Sequence, residues 1–224
     1  MAERYRGAKV VALDFSLAML RQAQQRDGFL SQLFGKPRPL PLCADFARLP
    51  LAAGSVGLVW SNLALHWLEE PLEALREFHR VLAPEGLVMF STLGPDTLKE
   101  LRAATGGQRV HRFMDMHDLG DRLVAAGFSA PVMDMEIITV TYPDADAFLS
   151  ELRATGQTGV RADRPRGLAG RGFLARLQAS LQAQSLDNRL PATFEVVYGH
   201  AWKGAPRVPA GQPAVVRLNL SRHK

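Results

Sequence analysis

The sequence predicts an α/β fold built on a mostly parallel sheet, and three features carry this prediction. Val56–Ser61 is a short apolar run that ends in small and polar residues, which is typical of a strand covered on both faces. Apolar residues then recur at helical spacing between Pro71 and Leu82, until residues 84–86, Pro-Glu-Gly, are expected to stop the helix. Leu87–Leu93 supplies a second apolar run. A strand, a helix and a strand in this order form a right-handed crossover between parallel strands.

Two shorter strands are predicted upstream of this unit. Lys9–Asp14 is predicted to be a strand, and Ser16 is expected to cap a helix that continues to Arg26. Residues 27–41 are polar and rich in glycine and proline, which indicates a loop. Leu40–Phe46 then predicts a short edge strand.

The elements downstream of the unit are predicted by periodicity and caps. Asp96 is expected to cap a helix that begins at Thr97, and Met116–Ala126 is predicted to be a helix that ends at Gly127. The remaining predicted elements are a strand at Pro131–Val140, helices at Tyr142–Arg153 and Phe173–Asn188, with Leu174, Leu177 and Leu181 facing inward, and a last antiparallel strand at Thr193–Trp202.

Composition narrows the class of protein. Cys43 is the single cysteine, so an internal disulfide and a cysteine-built zinc site are excluded, which fits a reducing cytoplasm. No apolar run reaches the roughly 18 residues that indicate a membrane span, and the N-terminus lacks the apolar core of a signal peptide.

The net charge of +5 is concentrated in arginines between Arg153 and Arg176. Such a cluster fits nucleic acid, an acidic substrate or protein partner, or a solvated surface, but aromatic residues are scarce there, which disfavours nucleic acid.

The strand ends carry the residues expected to bind a ligand. In an open α/β sheet the ligand crevice lies at the carboxyl ends of the strands, where the pairs Asp14-Phe15, Asp45-Phe46 and Asn62-Leu63 fall. A carboxylate at Asp14 can accept hydrogen bonds from both hydroxyls of a ribose. Asp45 can accept from the exocyclic amine of an adenine beside the ring of Phe46. The alternative interpretation is that each aspartate only forms a cap or a turn.

This series of strand ends resembles that of the class I S-adenosylmethionine-dependent methyltransferases over residues 9–140. The phrase Phe78–Leu87, FHRVLAPEGL, is similar to the family's stretch before its fifth strand. The resemblance implies a Rossmann-like sheet with S-adenosylmethionine as cofactor. It also implies that Asp14 binds the ribose, that Asp45 and Phe46 bind the adenine, and that Asn62 and Leu63 lie near the methionine part. Residues 1–203 would then form the methyltransferase domain, with a substrate-side insertion at about 141–189 and a tail at 204–224.

One departure from the family concerns its first strand, which ends in a glycine-rich turn around the methionine part. Only Met1–Ala8 precede the strand that ends at Asp14, and Gly106-Gly107 and Gly167–Gly172 do not follow a suitable strand. We therefore expect an N-terminally truncated sheet. A strand missing from its centre leaves an unpaired gap between the family's second and fourth strands.

Several phrases resemble BioC, the biotin-synthesis subfamily that methylates the free carboxylate of a malonyl thioester on acyl carrier protein. They are SNLALHW at residues 61–67, STLGPDTL at 91–98, FMDMHDLG at 113–120 and LPATFEV at 190–196. The resemblance implies acyl carrier protein as partner, with neither nucleic acid nor a membrane.

A carboxylate is already a nucleophile at neutral pH, so neither His66 nor His111 is assigned as a catalytic base. No residue is assigned as a metal ligand. Arg153 is expected to bind the substrate carboxylate and His66 to lie at the substrate side of the crevice. Arg153 as a helix-end residue and His66 as a packed core residue remain the alternatives. Arg161, Arg164 and Arg166 are expected to contact the acidic carrier protein.

Two other functions remain open from the sequence. The same phrases resemble a mitochondrial complex I assembly factor of this superfamily, thought to hydroxylate an arginine, although the N-terminus does not resemble a transit peptide. A non-catalytic methyltransferase fold that binds a partner but no cofactor is the second alternative, and the missing glycine-rich turn favours it.

Overall fold

The fold is described from a computed structural model, which covers residues 7–26, 39–107, 110–156 and 170–205. It confirms the predicted α/β class and the strand, helix and strand of the central unit. The strands are β1 (Val11–Asp14), β2 (Leu40–Cys43), β3 (Val56–Asn62), β4 (Leu82–Leu93), β5 (Phe128–Tyr142) and β6 (Leu190–Lys203).

Helices connect most of these strands. Within the described residues no helix is long and apolar enough to cross a membrane. The helices are α1 (Leu17–Arg26), α2 (Leu72–Val81), α3 (Lys99–Thr105), α4 (Met116–Ala125), α5 (Ala145–Ala154) and α6 (Arg171–Gln182), with a short 3₁₀ helix, η1, at Leu65–Trp67.

The strands form two sheets. β1 and β2 pair in parallel, and the second sheet has the order β3-β4-β6-β5. β3 and β4 are parallel, whereas β6 is antiparallel to both of its neighbours, as predicted for the last strand. β6 lies between β4 and β5, so the last strand of the described residues is interior to the sheet. Among the described residues β1 and β3 do not pair, because they belong to separate sheets, and the gap expected between them remains a prediction.

Two apolar clusters stabilise the fold. The first packs α2 and α4 against β4 and β6 through residues such as Leu75, Phe78 and Leu123. The second lies under α5 and α6, where Phe148 is 1% exposed and its ring packs 5.2 Å from that of Tyr142. The second cluster thus joins α5 and α6 to the start of β6.

Three local predictions were wrong for identifiable reasons. α2 ends at Val81 rather than near Pro84, because Leu82 is already extended and pairs with Val56 at the start of β4. Asp96 does not cap α3: its backbone N–H donates to Oε2 of Glu195 at 2.7 Å, and the cap position is Leu98 in a left-handed conformation. Leu174 is 42% exposed rather than buried. The predicted tail lies outside the described residues from position 206 onward.

Candidate active site

The two predicted acids lie at the carboxyl ends of neighbouring strands. β1 and β2 are paired so that Asp14 is opposite Cys43, and Asp45 follows two residues later. Oδ1 of Asp14 accepts a hydrogen bond from the backbone N–H of Ser16 at 2.7 Å, and Oδ1 of Asp45 accepts from that of Ala47 at 2.8 Å. Each aspartate therefore forms a local turn, as the alternative interpretation expects. The second carboxylate oxygen of each accepts no hydrogen bond from any residue that the structure describes, which leaves it available to a ligand.

The two aromatic residues beside these acids differ in exposure. Phe15 is 76% exposed, so its ring is available as a wall for a flat ligand. Phe46 is half-buried and packs against the first cluster, with its ring 6.4 Å from that of Phe78. Phe46 therefore serves the core as well as the crevice.

A tight turn follows β3 and is held by β4. The hydroxyl of the buried Ser91 donates to Oδ1 of Asn62 at 2.7 Å. The backbone N–H of Leu63 donates to the carbonyl oxygen of Ser91 at 3.0 Å and reaches its Oγ at 3.2 Å. Leu63 has φ +47°, a left-handed conformation that this network stabilises. Ser91 thus orients the predicted Asn62-Leu63 pair. The sequence analysis assigned Ser91 no role, because its hydrogen bonds to these residues join two different strands, β4 and β3.

A small cavity opens beside this turn. It is bounded by η1, by the end of β4 and by the segment that leads into α4, and its lining includes Leu65, His66, Thr92, Leu93, Arg112 and Phe113. Sequence reasoning identified His66 at this side of the crevice but missed Arg112. The one sequence feature that could have indicated Arg112 is its position directly before the BioC-like phrase FMDMHDLG at residues 113–120.

His66 lies in an apolar and aromatic environment. Its ring centroid is 5.2 Å from that of Trp67 and 5.9 Å from that of Phe113, which also packs 5.2 Å from His111. Burial, and then repulsion from His111, lower the pKa of His66 from 6.5 to about 4. Its buried Nδ1 has no hydrogen-bond partner among the described residues. The cavity therefore contains a neutral imidazole with one unsatisfied nitrogen.

Comparison with known proteins identifies the family. A family model described as a methyltransferase domain matches residues 1–90. A malonyl-acyl-carrier-protein O-methyltransferase from Gallionella capsiferriformans is 51% identical over 98% of this chain, which spans 77% of that relative. The chain belongs to the malonyl-acyl-carrier-protein O-methyltransferase family. A further relative of the same name, from Methylovorus, is 50% identical over 93% of this chain, and 72% of that relative is covered.

Membership of this family confirms the predicted resemblance and the predicted enzyme class, a methyltransferase. A solved structure described as a methyltransferase, from Bacillus halodurans, aligns with a TM-score of 0.60 and covers 88% of this chain and 84% of its own. At 15% identity, this likeness supports the fold alone. The methyltransferase family implies S-adenosylmethionine as the methyl donor.

The residues at the ends of β1 and β2 fit the nucleoside part of that donor. The uncommitted oxygens of Asp14 and Asp45 are hydrogen-bond acceptors, which suit the ribose hydroxyls and the adenine amine, and Phe15 offers an exposed ring nearby. These assignments, and that of Asn62 with Leu63 to the methionine part, remain predictions.

Of the predicted basic residues, the structure describes only Arg153. Arg153 is exposed in the last turn of α5, where its carbonyl oxygen accepts from the backbone N–H groups of Thr155 and Gly156. It does not line the cavity beside His66. Arg161, Arg164 and Arg166 lie outside the described residues.

Acid is expected to destabilise the fold through His66. Because the folded pKa of about 4 lies below the ordinary value of 6.5, the stability contributed by neutral His66 is complete above pH 6.5 and is lost as the pH falls toward 4. A His66→Phe variant should therefore lose less thermal stability than the parent between about pH 7.5 and about pH 5. Melting temperatures at the two pH values measure this. His117→Phe, at an exposed position on α4, is the matched control, and equal acid sensitivity of parent and His66→Phe would contradict the prediction.

Proposed function

We propose that this chain catalyses methyl transfer from S-adenosylmethionine to the free carboxylate of malonyl-acyl carrier protein, a step of biotin synthesis. One observation carries the proposal. The general methyltransferase model matches residues 1–90, whereas identity to the malonyl-acyl-carrier-protein O-methyltransferases extends over 98% of the chain. The similarity thus includes residues 110–203, which contribute part of the cavity lining and the second apolar cluster. This region is where substrate selection would reside.

In this reaction the residues of the chain would bind the methyl donor, orient the substrate carboxylate and exclude water. When bound, S-adenosylmethionine supplies a methyl group on a positively charged sulfur. Asp14 and Asp45 would hold its nucleoside, and the turn at Asn62-Leu63 would form the floor near the reacting group. The malonyl carboxylate is ionised at neutral pH, so the protein has to orient it and exclude water rather than remove a proton. The reaction therefore requires no general base from the cavity, whose histidine is neutral.

The test measures transfer of a labelled methyl group from S-adenosylmethionine to malonyl-acyl carrier protein. The parallel substrate is acetyl-acyl carrier protein, which has the same carrier and thioester but no free carboxylate. We expect the label only on the malonyl form, as a base-labile methyl ester. Labelling of both carriers, or of an arginine side chain, would overturn the proposed substrate.

Calorimetry with S-adenosylmethionine separates this function from the non-catalytic alternative. The proposed enzyme binds the donor without a partner protein. A chain that binds acyl carrier protein but no S-adenosylmethionine would instead be a binding protein with a methyltransferase fold. Incorporation of an oxygen atom from dioxygen would favour the hydroxylase alternative.

A further inference from the structure

Arg112 is a cationic residue at the cavity beside His66 that has no partner among the described residues. Its side chain lines the cavity, yet the structure gives it no hydrogen bond or ion pair with any described residue. The arginines of α2 and α4, in contrast, are engaged with carboxylates: Arg76 with Glu73, Arg80 with Glu77 and Arg122 with Glu70. A cation that lines a cavity without a protein partner is available to an anionic ligand.

The segment that carries Arg112 is fixed against η1 by aromatic packing. The ring of Phe113 lies between those of His66 and His111, at centroid distances of 5.9 and 5.2 Å. Since Phe113 directly follows Arg112, this packing holds the arginine backbone at the cavity wall. Arg112 itself is exposed, whereas the neighbouring Phe113 is held by its aromatic contacts.

His66 is a second polar residue of the cavity lining, and its buried Nδ1 has no hydrogen-bond partner among the described residues. Glu69 also lines the cavity and forms no ion pair with Arg112 within the described residues. Its negative charge disfavours an anion anywhere in the cavity except against the guanidinium.

We propose that Arg112 is the residue that recognises the free carboxylate of the malonyl group, at the cavity wall that it shares with His66. This inference rests on the proposed function and replaces Arg153 as the carboxylate-binding residue. A guanidinium matches a carboxylate with two parallel hydrogen bonds, so it selects malonyl over acyl groups that lack the charge.

The same contact explains how the product leaves. Methylation converts the carboxylate into a neutral ester, which keeps oxygen acceptors but no longer forms an ion pair with Arg112. The substrate should therefore bind more tightly than the methyl ester, and this preference should depend on the charge of residue 112.

Arg112→Met is expected to raise KM for malonyl-acyl carrier protein by about 10- to 100-fold, with a smaller change in kcat, because the charge-assisted contact is lost. Binding of S-adenosylmethionine should stay the same. Arg112→Lys should recover part of the affinity, because it keeps the charge but not the paired geometry. Arg76→Met, which removes a surface arginine of α2, is the matched control.

Direct binding provides a second readout that does not need turnover. Calorimetry should show that Arg112→Met loses affinity for malonyl-acyl carrier protein and not for the methyl ester form. An unchanged KM, an equal loss for both forms, or a rise in KM with Arg153→Met instead would overturn the inference. If the parent transfers no methyl group, the proposed function fails, and the difference between the malonyl and ester forms in this binding experiment still decides the role of Arg112.

Discussion

Asp14→Asn is expected to weaken the binding of S-adenosylmethionine by about 10- to 100-fold, because a charge-assisted contact to the ribose is replaced by a neutral amide. The change is conservative for the fold. Oδ1 of Asp14 accepts from the backbone N–H of Ser16 at 2.7 Å, and an asparagine side chain can accept the same bond. The effect should therefore appear in the dissociation constant, measured by calorimetry, and not in the melting temperature.

Asp144→Asn is the matched control for this experiment. Asp144 also accepts a hydrogen bond from a backbone N–H, that of Ala147 at 2.8 Å, but it lies at the start of α5. Its substitution should leave donor binding unchanged. A dissociation constant for Asp14→Asn within about twofold of the parent would mean that Asp14 only forms the turn before α1, and the ribose assignment would be wrong.

Gly199→Ala is expected to destabilise the fold by about 3 kcal/mol, at the upper end of the usual cost of overpacking a core. Gly199 pairs with Phe90 across β4 and β6, and a Cβ at this position would overlap with Cζ of that ring. Phe90 is 4% exposed and belongs to the first apolar cluster, so the ring has little room to move. Denaturant unfolding should measure the loss, with a fall in melting temperature of roughly 10 °C.

Gly57→Ala is the control, since it makes the same change within strand β3 where nothing lies within 4 Å of the added carbon. Phe90→Leu should rescue Gly199→Ala in part, because a shorter side chain vacates the space that the new methyl group needs. The double variant should then be more stable than the sum of the single effects predicts. Equal stabilities of Gly199→Ala and Gly57→Ala would show that the sheet adjusts to the close contact.

Much of the fold was predictable because its signals are local. The spacing of apolar residues predicts the helix of residues 72–81 and the strand that follows it. Gly127, with φ +99°, ends α4 at the predicted position. The errors at Pro84 and Asp96 have a different origin. Each boundary is decided by a partner far along the chain, Val56 for β4 and Glu195 for the loop before α3.

The site was predictable to the same extent. Asp14, Asp45 and Asn62 could be proposed because the carboxyl end of a strand is visible in the sequence, and His66 because it follows one of these ends; their binding roles remain predictions. Arg112 was missed because no spacing rule relates residue 112 to residue 66. The two approach each other through the packing of Phe113, which requires the folded chain.

The sequence by itself determined the class of fold, the family and the acids at the strand ends, because apolar periodicity and short motifs are properties of neighbouring residues. The tertiary structure alone decided that β6 lies between β4 and β5, that Gly199 faces Phe90, and that Arg112 rather than Arg153 lines the cavity with His66. Each of these features is a contact between residues separated by tens of positions or more. Such contacts depend on how the elements pack together, and local sequence patterns do not specify them.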